Sequence, residues 1–158
     1  AGKTLTALRA LSELFRERTV GKYYLCLVKG QITHGSRLEG YLSKDEKSNQ
    51  VTILEHAVQD SSPICTVYEP LAHSADSTLL KVELVTGKSH QIRAHLASIG
   101  HPLLGDQIYA PKLKTPVRIP RLMLHAYSLA FTHPTTGERM RFCAPLPAAF
   151  EETLQKLR

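Results

Sequence analysis

Ile64-Cys65-Thr66-Val67-Tyr68-Glu69-Pro70-Leu71, then Leu79-Leu80-Lys81-Val82-Glu83-Leu84-Val85, then Ser89-His90-Gln91-Ile92-Arg93-Ala94-His95-Leu96-Ala97-Ser98-Ile99: these three runs decide the architecture. The first two alternate apolar and polar residues, as half-buried strands do. Ala75-Asp76-Ser77 lies between them and leaves room for a turn but not for a crossover helix. The third run sets Ile92, Leu96 and Ile99 on one helical face, with Gly100 as a stop. Working outward, Ser36 to Ser43 and Val51 to His56 read as a second strand pair, joined by the polar turn Lys44 to Asn49. Tyr23 to Val28 is a further β-prone run. Before it, Leu5, Leu8, Leu11, Leu14 and Phe15 form the apolar stripe of a helix over residues 3–18, closed by Gly21. After residue 100, Tyr109 to Pro120 is a Pro-rich loop. Leu122 to Phe131 then pairs with Arg139 to Ala144 across the turn His133-Pro134-Thr135-Thr136-Gly137, and a helix closes the chain from Ala148 to Leu157. There is no βαβ rhythm and no internal repeat. The pattern predicts an α+β domain on a mainly antiparallel, mixed sheet with peripheral helices, one domain over residues 1–158.

Composition agrees with one packed domain: 158 residues, 42% apolar and 22% charged. No apolar run reaches the length of a membrane span. The opening Ala1-Gly2-Lys3-Thr4-Leu5 lacks the charged-then-apolar plan of a signal peptide and reads straight into a helix, which predicts a cut inside a longer protein. Cys26, Cys65 and Cys143 are odd in number and widely spaced, so they indicate neither disulfides nor zinc and fit a reducing, cytoplasmic setting. Two of them lie in strand-like apolar runs, where cysteine acts as a small hydrophobe. Twenty Lys and Arg against fourteen Asp and Glu give a net charge of +6, a surplus that fits a polyanionic partner such as RNA.

The chemistry concentrates in Thr86-Gly87-Lys88-Ser89-His90-Gln91-Ile92-Arg93-Ala94-His95-Leu96. With Ser89 as N-cap, Lys88 and Arg93 flank the first turn of a helix whose N-terminus is already partly positive. Either both cations are solvated, or an anion or carboxylate compensates them. Arg93 adjoins the apolar Ile92–Leu96 face, where a half-buried guanidinium needs a partner. Gln91 and His95, four apart, are positioned to form a polar surface beside it. Three familiar motifs fail. Gly87-Lys88-Ser89 resembles the end of a P-loop, but Val82 stands where its first glycine belongs. His90 and His95 lack the spacing and the Glu of a zinc helix. No Gly-x-Ser-x-Gly elbow supports a serine hydrolase.

Gly87-Lys88-Ser89-His90-Gln91-Ile92-Arg93, followed by Gly100-His101-Pro102-Leu103-Leu104-Gly105-Asp106 and Tyr109, is similar to the signature of the RluA-like RNA pseudouridine synthases. Lys22-Tyr23-Tyr24 with Val28 and Gly30 resembles that family's Lys-x-Tyr strand. Leu124-His125-Ala126, Phe131, His133-Pro134 and Gly137-Glu138 resemble its closing hairpin. Four blocks in the family's order cover nearly the whole chain, and the RluC/RluD-type branch acting on large-subunit ribosomal RNA resembles it most.

The resemblance implies an enzyme that detaches uracil from its ribose, turns it and rejoins it through carbon, with no metal or organic cofactor. It also implies part of a catalytic domain, because the family's nucleophilic aspartate sits in a His-Arg-Leu-Asp sequence that does not occur here. That motif precedes the opening helix in full-length relatives, so this fragment is expected to be inactive by itself. Carried over by motif, Arg93 is the active-site arginine that pairs with the aspartate, here left without its counter-charge. Tyr24 is the tyrosine placed against the uracil. Tyr23 and Tyr24 must point to opposite faces of their strand, and the family spacing selects Tyr24. Lys22, His90 and Gln91 are expected to shape the site or the path of the RNA backbone, while Asp106 holds a turn. Lys112, Lys114, Arg118 and Arg121 in the Pro-rich loop are candidates for phosphate contacts. Two rivals remain: an RNA-binding module of synthase-like fold that has lost its chemistry, and an unrelated small-molecule enzyme or interaction domain.

Overall fold

The computed structural model describes residues 2–158. Ten elements run in the order α1 (Leu5–Arg16), β1 (Gly21–Lys29), β2 (Ser36–Asp45), β3 (Gln50–Leu54), β4 (Ser62–His73), β5 (Ser77–Leu84), α2 (Gln91–Ser98), β6 (Leu124–Thr132), β7 (Arg139–Cys143) and α3 (Ala148–Lys156). The strands form one seven-stranded sheet in the order β3-β2-β4-β5-β1-β6-β7. Every pairing within it is antiparallel, so the mixed character expected from sequence is not present among the described residues. The three hairpins anticipated from the turn residues all form. The one long connection runs from β5 to β6, through α2 and the Pro-rich segment, and β1 sits between these two strands in the interior of the sheet.

Two layers of side chains flank β1, and strict alternation sends its residues to one or the other. Cys26 and Val28 join Leu80, Val82, Tyr68, Ile92, Leu96 and Leu103 on the α2 face, with Tyr24 packed at the margin. Leu25 and Leu27 join Met123, Leu104 and the α3 residues Phe150 and Leu157 on the other face. Cys26 is fully enclosed, and burial pushes its thiol far above the ordinary range, so it is inert packing. The Pro-rich segment covers the second layer by turning Leu113, Val117 and Ile119 inward. Lys112, Lys114, Arg118 and Arg121 remain exposed.

Two helix boundaries differ from expectation. Helix α1 stops near Glu17, before Gly21, because Arg18 takes the left-handed conformation (φ 60°) that reverses the chain. Gly21 opens β1 instead. At α2 the cap is His90, also left-handed (φ 58°), and not Ser89, which is exposed two residues before the first helical position. The helix also carries no side-chain cap. Gln91, buried in the first turn, satisfies the entry loop instead.

The apolar stripe of α1 is not buried. Leu5, Leu8 and Phe15 are 62%, 51% and 48% exposed. Leu8, Leu11 and Phe15 line one wall of a cleft of about 590 Å³, whose other wall is Leu129, Phe131, Met140 and Phe142 of the β6–β7 hairpin. The core of the domain is therefore the two layers around β1 together with a third cluster of Leu42, Val51, Ile64 and Ala94 at the β2–β3 end of the sheet. Leu96 is completely buried between α2 and the sheet. Leu96→Ala is expected to cost about 2–5 kcal/mol, read as a lower urea midpoint at an unchanged m-value.

Candidate active site

Geometry at Arg93 is set by the segment after α2. Leu103 and Leu104 straddle the sheet, one side chain in each layer. Their backbone is tied to β1 by Leu104 N–H donating to Leu27 O at 2.9 Å and Lys29 N–H donating to Pro102 O at 2.9 Å. Gly105 follows in the left-handed region (φ 78°), where a Cβ would stand 2.1 Å from the carbonyl oxygen of Arg121. Only glycine fits there. This turn delivers Asp106 beneath α2.

Asp106 is the partner of Arg93. Arg93 Nε donates to Oδ2 and Nη2 donates to Oδ1, both at 2.8 Å. The Asp106 side chain is fully buried and that of Arg93 is 14% exposed. Oδ1 also accepts from the backbone N–H groups of Ile108 (2.9 Å) and Tyr109 (3.0 Å). Burial pushes the Asp106 carboxyl up, but the hydrogen bonds from Arg93, Tyr109 and Ile108 outweigh it and hold the group below the ordinary carboxylate value. The same hydrogen bond raises the Arg93 pKa and keeps the guanidinium charged. The expectation that Arg93 lacks a counter-charge within this chain is thus overturned. Asp106 does hold its turn, but it also clamps the arginine.

Tyr109 completes the cluster. Its ring lies under the guanidinium, 5.3 Å from Arg93 Cζ to the ring centroid. Its hydroxyl accepts from Val51 N–H at 3.0 Å and shares a 3.0 Å hydrogen bond with His90 Nδ1. Burial, then the charge of Arg93, holds His90 below its usual pKa. A neutral imidazole there accepts the Tyr109 proton, which leaves the phenol oxygen free for Val51.

Gln91 and His95 do not form a polar surface. Both are buried, at 1% and 3% exposure. Gln91 Nε2 donates to Cys65 O and Thr66 Oγ1, each at 3.0 Å. Its Oε1 accepts from Thr86 Oγ1 (2.8 Å) and Lys88 N–H (3.1 Å). Thr66 Oγ1 is also 3.0 Å from His95 Nδ1. A buried amide with all its groups engaged has nothing left for a ligand. Gln91 therefore shapes the site from behind, by fixing the loop that enters α2.

Tyr24 and Lys22 lie two residues apart on the α2 face of β1, whereas Tyr23 is on the opposite face with Lys81 Nζ 5.7 Å from its ring centroid. Tyr24 and Lys22 border a cleft of about 360 Å³, at the sheet margin where Tyr23 also reaches it, shared with Phe15, Leu129, Phe142 and Cys143. Lys22 reaches toward the α2 entry loop, and a Cβ on Gly87 would sit 2.9 Å from its Nζ. Arg93 and His90 form one cluster and Tyr24 and Lys22 another. The two clusters share the α2 face of the sheet. Asp106 and Tyr109 are the site residues that sequence reasoning left unassigned, although the Asp-x-x-Tyr spacing stood in the matched block.

Residues 1–98 match the family described as RNA pseudouridylate synthase. The chain belongs to that family. Ribosomal large subunit pseudouridine synthase D of Nitrosomonas europaea is 36% identical over 162 residues, covering 99% of this chain and 46% of the relative. Ribosomal large subunit pseudouridine synthase C of Escherichia coli (strain K12) is 37% identical over 163 residues, covering 99% and 51%. The chain thus spans about half the length of the curated relatives it matches. Among solved structures, human RNA pseudouridylate synthase domain containing 1 superposes with a TM-score of 0.74 at 25% identity, over 98% of this chain and 72% of that one.

Removing the carboxylate of the clamp tests its weight. Because the folded pKa of Asp106 lies below its unfolded value, the ionised group stabilises the fold above the ordinary carboxylate range. That contribution fades as pH falls through the folded pKa. Asp106→Asn is expected to cost about 3–5 kcal/mol at neutral pH, as for breaking a buried pair. In denaturation series at several pH values, the gap between the two proteins should shrink below roughly pH 4.

Proposed function

We propose that these residues belong to an RNA uridine isomerase acting on large-subunit ribosomal RNA, with Arg93 and Tyr24 as its catalytic residues. The reading rests above all on the Arg93 fork. Asp106 occupies the Nε–Nη2 edge and the Tyr109 ring braces the plane, while Nη1 donates to nothing among the described residues. A guanidinium fixed along one edge and free at the other is built to receive a second anion at a set angle. The aspartate implied by the family resemblance fits that edge. Asp106 already offsets part of the arginine's charge, so the incoming carboxylate is held ionised and aimed without being quenched as a nucleophile.

Tyr24 supports the same reading from the neighbouring cleft. A uridine extruded from its stack needs an apolar ring to lie against, and the phenol hydroxyl offers a proton-transfer group beside it. The reaction breaks N1–C1′, forms C5–C1′, and moves a proton from C5 to N1 by way of solvent and site groups. The +6 net charge supplies the phosphate attraction that offsets unstacking. The relatives' names place their substrate in the large ribosomal subunit, and free buried thiols fit a cytoplasmic protein.

None of the four aspartates of this chain stands as a free carboxylate beside Arg93 and Tyr24. Asp106 is sealed under Arg93. Asp45 caps its own hairpin turn through Lys47 N–H and Ser48, and Asp76 pairs with Lys29 at 3.3 Å. Asp60 lies in an exposed turn. Residues 1–158 alone are therefore expected to release no tritium from ribosomal RNA labelled at uridine C5, and release above background would refute this assignment of roles. When the chain is fused behind the aspartate-bearing portion of a relative, release should appear. Arg93→Ala in that fusion should lower kcat by about 100-fold or more, with RNA affinity changed less than about threefold. An RNA-binding module without chemistry predicts no release from the fusion either.

Binding has its own signature. RNA affinity should fall steeply as salt rises, with a log–log slope of about −0.7 per phosphate contacted on single strands. A flat salt response would favour a partner other than RNA.

A further inference from the structure

Lys22 and Arg18 are placed unusually for two cations. Lys22 is half-buried, and neither side chain takes part in any ion pair among the described residues. Burial, then the charge of Arg18, holds the Lys22 ammonium below its ordinary pKa, so the two charges feel each other without a carboxylate between them. Arg18 is set there by a left-handed backbone (φ 60°), a conformation that costs a residue with a Cβ about 1–2 kcal/mol. Strain of this kind clusters where it positions a group for use. Gly87 leaves the space into which Lys22 Nζ extends, and Lys88, next in the chain, is exposed and adds a third cation. Around this point Arg37 is already matched by Glu39 at 2.7 Å. Glu55 lines the cleft of about 460 Å³ that Arg18 also borders, without forming an ion pair.

Lys22 is half-buried and has the two exposed cations Arg18 and Lys88 near it, an arrangement that an anion among them would stabilise. The strand fixes which anion is within reach. Lys22 and Tyr24 share a face two residues apart, about 7 Å along the strand. That is the scale that separates a nucleobase from the phosphate of its own nucleotide. We propose that Lys22, Arg18 and Lys88, around the gap left by Gly87, form a seat for the backbone phosphate of the nucleotide whose base lies against Tyr24. This deepens the isomerase reading and rests on it for the identity of the base. The seat grips the target nucleotide by its own phosphodiester, so extrusion is held at both ends of one residue, and not only by diffuse contacts along the RNA.

The test uses the chain as it stands, titrated with uridine, uridine 5′-monophosphate, uridine 3′-monophosphate and inorganic phosphate, and followed by amide NMR. A monophosphate should move the Lys22 and Gly87 signals together with Tyr24, and should bind more tightly than uridine. Lys22→Gln and Arg18→Gln should each weaken the monophosphate about tenfold and leave uridine unchanged, while Lys22→Arg restores binding. Equal affinity for uridine and both monophosphates overturns the seat, as does unchanged monophosphate affinity in both glutamine variants at an unaltered thermal midpoint. If inorganic phosphate moves Lys22 and Gly87 while Tyr24 stays silent to every nucleotide, the seat stands and the uridine assignment fails.

Discussion

The bidentate pair of Arg93 and Asp106 is the constraint around which this half of the domain is organised. A fully buried carboxylate is tolerable only with its lone pairs engaged, and here one guanidinium edge and two backbone N–H groups engage them. Satisfying that carboxylate dictates much else. The chain must turn sharply at Gly105, the turn must be pinned to β1 through Leu104, and α2 must present Arg93 from its first turn. Tyr109 then falls under the guanidinium and, through Val51 and His90, ties the β2–β3 hairpin to the entry of α2. One ion pair thus links three parts of the sequence.

Gln91 plays the complementary part on the sheet side. It replaces the missing N-cap side chain by reaching the edge of β4 at Cys65 and Thr66, while its oxygen holds Thr86 and Lys88 N–H. The loop from Thr86 to His90 is consequently rigid where it meets Lys22. Site rigidity here comes from buried polar saturation on one side and from the Arg93 fork on the other.

Apolar surface left open by α1 and the β6–β7 hairpin belongs to the same picture. Leu8, Phe15 and Phe142 border clefts that run from the Tyr24 margin to the end of the hairpin. The two layers around β1 hold the sheet without them. The outer hairpin and the first helix therefore leave apolar surface open next to Tyr24.

Much of this was legible in the residues. Period-two alternation in Ile64–Leu71 and Leu79–Val85 located interior strands, because a strand packed on one face and partly open to water on the other alternates apolar and polar side chains. Turn residues located every hairpin, and the Ile92–Leu96 stripe located α2. The motif around Arg93 identified the family and marked a cation in need of a partner, since a guanidinium beside an apolar helix face demands one wherever it is folded. Sequence could not name that partner. Asp106 lies thirteen residues away and reaches Arg93 only because the Leu103–Leu104 segment is stitched to β1, a non-local contact with no local signature. Nor could sequence tell that Gln91 faces inward and Tyr24 faces α2, or that Arg18 and His90 take left-handed turns in place of Gly21 and Ser89. Spacing along a chain fixes which residues share a face, but only the packing of one element on another decides which face is buried and what waits there.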